Sequence, residues 1–151
     1  MGIFSDVVTA VRQGLDRASA VVTRATAALN GGRALDALDP PPGQPASIAE
    51  VIEEMHRLAG GMPPRDGVAQ FHRMYLHVTE RVGAAVAGRT FQDGPFMERL
   101  DCVFAGLYLD ACRADDKTRS KAWQPLFELR GQPGTASLQY AVAGMNAHIN
   151  F

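Results

Sequence analysis

The chain has 151 residues, enough to bury one sizeable core, with 46% hydrophobic and 21% charged residues, ordinary values for a globular protein. Its formal net charge of -1, from 15 basic against 16 acidic residues, lacks the clustered cationic excess that a phosphate backbone demands, so nucleic acid is not an expected partner. No run approaches the roughly 18 uninterrupted apolar residues of a membrane span, and the N-terminus lacks the charged and apolar regions of a secretory signal, so a cytoplasmic location is expected.

The opening MGIFSD departs from the myristoylation pattern at Asp6, where Ser or Thr is required. From Ser5 to Asn30, the residues Val8, Val11, Leu15, Ala18, Val22, Ala25 and Leu29 alternate steps of three and four, the seam of a heptad helix. Asn30, Gly31 and Gly32 stop it. Its small members Ala18 and Ala25 favour close approach of another helix, so self-association through residues 8–29 is the partner this arm suggests. Pro40, Pro41, Pro42 and Pro45 make residues 31–46 an extended linker. The reading is therefore a helical arm over residues 1–30, a linker, and an all-α domain over residues 47–151.

Within that domain, Ser47 and Glu50 form an S-x-x-E capping box ahead of Ile48, Val51, Ile52, Met55 and Leu58, which predicts a helix ending near Gly60. Gly60, Gly61, Pro63 and Pro64 break the chain. Asp66 caps the next helix, with the stripe Phe71, Met74, Tyr75, Val78, Val82, Ala85 and Val86, closed by Gly88. Asp93 and Pro95 announce another, whose expected buried face is Phe96, Met97, Leu100, Val103, Phe104, Leu107 and Tyr108, running to about Arg113. A short helical piece surrounds Trp123, Leu126 and Phe127. The last helix begins near Ser137, with the stripe Leu138, Val142, Met145 and Ile149. No segment alternates with period two, so the expected fold is all-α, an irregular bundle of about six helices without a sheet. Its core is expected to unite Phe71, Tyr75, Phe104, Leu107, Val142 and Met145.

The polar residues on these apolar helices are the functional candidates. The run GMNAHIN carries Asn146, His148 and Asn150, with the asparagines on one flank of the stripe and His148 on the other. It ends on Phe151 with no cap but Asn150, and the expectation is that the element continues, leaving any site of His148 incomplete. Asp101 abuts an apolar stripe, where a carboxylate is either paired or poised with a shifted pKa. Asp110 has a local partner in Arg113 at i+3. His72 stands at the margin of its stripe on the side of Thr79, whereas His77 points towards Arg73 and Arg81 and reads as solvated surface. Each candidate also has a plainer reading as a buried polar group satisfied by neighbouring backbone.

Cys102 and Cys112 fall ten residues apart on one predicted helix, a rise of about 15 Å that forbids their pairing. Two free thiols fit a reducing compartment. No CxxC or mixed Cys/His spacing marks a zinc site, and the Glu-x-x-His motif repeated across helices that builds bundle metal centres is absent, so no metal ligands are assigned. There is no nucleophile elbow, P-loop or dinucleotide fingerprint, and the residues name no cofactor.

The blocks PPRDGVAQFHRMYLHVTERV, FMERLDCVFAGLYLDA, AWQPLFELR and LQYAVAGMNAHIN, in this order and spacing, resemble a group of uncharacterised bacterial proteins, chiefly actinobacterial, known only as a domain of unknown function. The resemblance covers about residues 47–151. It implies a helical domain whose polypeptide normally continues beyond the His-Ile-Asn block, and it carries no catalytic residues across.

Two functions follow as expectations. The first is a small-molecule enzyme or binding protein with a polar pocket between helices, in which His148 and Asp101 are the catalytic candidates and Asn146, Asn150, Tyr108 and His72 the ligand-binding ones. There His148 would act as base or ligand, with Asp101 orienting it. The alternative is a non-enzymatic scaffold or interaction module that uses the heptad arm.

Overall fold

The computed structural model describes residues 40–150, which form five helices in the order α1 (Ile48–Ala59), α2 (Gly67–Ala87), α3 (Gly94–Arg113), α4 (Gln124–Glu128) and α5 (Ser137–Asn150). Among the described residues there is no strand, so the all-α expectation holds. The heptad arm and most of the linker lie outside the described residues.

Local chemistry sets the helix ends. Ser47 accepts the amide of Glu50 at 3.3 Å, and Glu50 reaches back to the amide of Ala46 at 2.9 Å, which together satisfy donors that the first turn leaves open. Asp66 accepts the amides of Val68 and Ala69 at the start of α2, and its other oxygen holds Arg130 at 2.7 Å. Asp93 accepts the Phe96 amide at the start of α3, with Pro95 in the first turn. The far end of α3 is closed by Arg119, which donates to the carbonyls of Ala111 and Ala114 while stacking 3.8 Å from the Phe127 ring centroid.

Packing follows small residues rather than the widest apolar stripes. A Cβ on Gly67 would collide with the Tyr140 ring and one on Gly144 with the Phe71 ring, so α5 lies against α2 at a separation only glycine allows. With His148 beside Tyr75, the contacts 67 with 140, 71 with 144 and 75 with 148 advance together, and the two helices run parallel. On another face of α2, Gly83 meets Ile48 and Ile52 of α1. The core holds Phe71, Tyr75, Tyr108, Leu109, Trp123 and Leu126, closed from the α1 side by Val51 and Met55.

This arrangement corrects the expected core. Phe71 and Tyr75 are inside, but Phe104, Leu107 and Val142 are only half-buried, and Met145 is 42% exposed. The inward face of α5 is Tyr140, Ala141, Gly144 and Ala147, while of its bulky stripe Leu138, 66% exposed, and Met145 look outward and Val142 and Ile149 are half-buried. Contact with the rings of α2 selects the face with the least side-chain volume. The stripe of α2 is rotated likewise: Val78 is 46% exposed, whereas His72 and Thr79 are fully buried. At the other end, Pro45 is buried, and Gln44 lies over Gly106 and donates to Asp110 at 2.5 Å.

Candidate functional site

Four aromatic rings surround His148. Trp123 stands 4.7 Å from it and Tyr75 4.8 Å, centroid to centroid and nearly perpendicular, with Phe104 at 5.6 Å and Phe71 at 6.2 Å. Neither ring nitrogen is exposed, and neither has a hydrogen-bond partner among the described residues. Burial therefore pushes the His148 pKa down from 6.5 to about 4, because nothing nearby repays the desolvation of an imidazolium. His148 is neutral at pH 7.

Other buried polar atoms on the same helices share its condition. The hydroxyls of Tyr75 and Thr79, one Asp101 carboxylate oxygen and the Trp123 indole nitrogen all lack partners among the described residues. Tyr75 and Thr79 are one turn apart on α2. Asp101 lies one turn before Phe104 on α3, and burial first, then the Asp101 charge, hold the Tyr75 phenol well above its usual pKa. Desolvation alone raises the Asp101 pKa from 3.8 to about 6. Buried polar groups are hydrogen-bonded almost without exception, and each orphan costs about 1–3 kcal/mol. These orphans sit on α2, α3, α5 and the Trp123 turn, which makes their junction the candidate site.

The other candidates separate from this cluster. His72 and Tyr108 form a closed relay with α1: the imidazole Nε2 lies 2.9 Å from the carbonyl of Met55, and Nδ1 lies 2.9 Å from the Tyr108 hydroxyl. A carbonyl only accepts, so Nε2 carries the proton and Tyr108 donates to Nδ1. Both groups are satisfied and fully buried, and their role is to join three helices. Asn146 is exposed on α5, on a different face from His148. Asn150 closes α5, and its side chain lies outside the described part. No hydrogen bond links Asp101 to His148, since the nitrogens of one and an oxygen of the other are among the orphans.

Sequence reasoning did not single out Tyr75, Thr79 or Trp123 as site residues. Thr79 alone left a signal, a small hydroxyl at a helical position that periodicity places between His72 and Val86. Among the described residues no group of three or more His, Cys, Asp or Glu side chains gathers in metal-binding proximity. The thiols of Cys102 and Cys112 are both pushed up by burial to about 11, which leaves them unreactive near neutrality.

Two surface clefts lie apart from the cluster. One, of about 280 Å³, sits between the Gln132–Thr135 turn and Tyr140. The other, of about 350 Å³, runs from Gly43 and Pro45 to Glu54 and Arg113. In the second, Glu54 is clamped by Arg57 at 2.6 Å and Arg113 at 2.8 Å, which hold its carboxyl down at about 2. Its strongest charges are thus already spent on one another.

Among the described residues, the fold is all-helical, with several buried polar atoms left without partners beside a group of aromatic rings. By family model the chain belongs to a family of unknown function (DUF5995), matched over residues 48–151. No curated protein and no solved structure matches it.

Proposed function

We propose that this domain binds a small organic molecule at the junction of α2, α3 and α5, with Thr79, Asp101, Tyr75 and His148 as its polar partners. The carrying observation is the set of buried polar atoms without partners among the described residues. Helical geometry indicates the apolar side chains that would flank the ligand. The face of α2 that meets α5 at 67, 71 and 75 passes on to Val78 and Val82, and the face of α3 that carries Phe104 passes back to Leu100 and Met97. Val78 is 46% exposed and the other four are half-buried. An apolar groove with a few convergent polar groups is the general form of a small-molecule site. There, neutral His148 offers one ring nitrogen as a hydrogen-bond acceptor and the other as a donor, while Asp101 accepts.

The chain has a single tryptophan, so the Trp123 indole N–H gives one unambiguous NMR signal next to His148. A survey of polar fragments should yield binders that shift this signal in the full chain and fail to shift it in His148→Gln. A survey in which no fragment moves it, or in which His148→Gln responds as the wild type does, would sink the reading.

A second reading, an interaction module, draws on the outward apolar side chains Leu138 and Met145, 66% and 42% exposed. It anticipates self-association of the full chain that weakens when residues 8–29 are deleted, as sedimentation across concentration would measure.

A further inference from the structure

Helix α5 is apolar on two sides. Its inner face of Tyr140, Ala141, Gly144 and Ala147 is buried. A second stripe, about 140° round the helix, holds Leu138, Val142, Met145 and Ile149, of which Leu138 is 66% and Met145 42% exposed and the other two are half-buried. Between Ser137 and Asn150 there is no Asp, Glu, Lys or Arg. A surface helix ordinarily turns a charged face outward, and one that is apolar on both sides is suited to be covered on both. The outer stripe steps by four, three and four residues, the spacing of a seam along which a second helix packs.

We infer that the cover is this chain's own N-terminal arm, whose residues Ala18, Val22, Ala25 and Leu29 dock on the outer stripe of α5. The inference goes beyond the small-molecule reading and does not depend on it. These four residues repeat the steps of four, three and four, and the two alanines leave room for bulky Leu138 and Met145. The tether is long enough. Pro40, where the described part begins, follows Leu29 by eleven residues, which span up to about 36 Å when extended. Gln44 packs over Gly106 of α3, and Phe104 on the same helix lies 5.6 Å from His148 of α5, so the tether has only to pass round one helix of about 10–12 Å diameter. A second copy of the chain is a poorer occupant, because these partly exposed side chains offer well under the roughly 800 Å² per partner of a stable complex. A tethered segment needs less, since its effective concentration beside the stripe is on the order of millimolar.

A nitroxide attached at Thr23→Cys, beside the seam, tests this in the full chain. The native thiols of Cys102 and Cys112, pushed up by burial to about 11, leave the introduced cysteine as the one that labels at neutral pH. With the label active, the Met145 methyl signal should lose most of its intensity, whereas that of Ile52, on α1 where no contact with α5 is made, should keep it. Sedimentation should show a monomer, and the loss should persist on dilution. Val22→Asp places a charge in the seam and should restore the Met145 signal of the labelled chain. The Trp123 indole signal of each sample, with the label reduced, reports that the domain is folded. The inference is overturned if Met145 keeps its intensity as Ile52 does, if the loss fades on dilution, which would make a second copy the occupant, or if Val22→Asp leaves the loss in place.

Discussion

Tyr108 and Thr79 both present a hydroxyl in the fully buried interior, and their surroundings give them opposite energetics. The Tyr108 hydroxyl donates to His72, so Tyr108→Phe leaves the imidazole Nδ1 without a donor and should cost about 1–3 kcal/mol. The Thr79 hydroxyl has no partner among the described residues, so Thr79→Val removes an unpaid desolvation and should leave stability unchanged or raise it by up to about 1 kcal/mol. Urea melts of the two variants beside wild type check both signs, and loss of stability in Thr79→Val would mean that the hydroxyl is bonded after all. The same contrast explains what the sequence conveys about the site. His72 and His148 look alike there, each a lone histidine beside an apolar stripe. What separates them is a backbone carbonyl, that of Met55, facing one ring and not the other. That carbonyl belongs to a different helix, and no periodicity encodes its position.

The packing of α5 shows why helix positions were legible while helix faces were not. Caps at Ser47, Asp66 and Asp93, with stops at Gly60 and Gly88, place α1, α2 and α3 to within a residue or two, because capping is a local matter of side-chain oxygen and backbone amide. Which face turns inward depends on what it meets. A stripe of Leu138, Val142, Met145 and Ile149 looks like a core face, but the rings of Phe71 and Tyr75 fill the space that those side chains would need. The glycine-alanine face is turned in instead. Gly144→Ala should therefore be costly despite the gain in helix propensity, since its methyl group would overlap the fully buried Phe71 ring. The expected loss is about 1–3 kcal/mol. Gly131→Ala, at a position with open space around it, is the control and should be near neutral. A thermal melt of each tests the pair, and equal melting temperatures would mean that α5 shifts freely on α2.

Across the whole molecule, the two ionisable groups of the candidate site work against each other as pH changes. His148 has its pKa depressed in the fold, from 6.5 to about 4. The unfolded chain takes up this proton first, so His148 withdraws stability as pH falls from about 6.5 to about 4. Asp101 has its pKa raised, from 3.8 to about 6. Here the folded chain takes up the proton first, so Asp101 adds stability as pH falls from about 6 to about 3.8. Each shift corresponds to about 3 kcal/mol at about 1.4 kcal/mol per unit, and the windows nearly coincide. Wild-type stability should thus change little from these two groups between pH 6.5 and 4. Single substitutions expose the hidden slopes. Asp101→Asn leaves His148 unopposed and should lose stability on acidification through this range, whereas His148→Gln leaves Asp101 unopposed and should gain it. Urea unfolding of the three proteins at pH 6.5, 5.5 and 4.5 measures the slopes, with opposite signs expected for the variants. Parallel curves would show that neither group is titrating from within the folded junction. Because Glu54 begins to lose its arginine-bound charge only towards pH 2 in the fold but near 4.5 when unfolded, its destabilising contribution to acid sensitivity is concentrated at the low end of the series. The comparison between pH 6.5 and 5.5 is therefore the one that isolates the site.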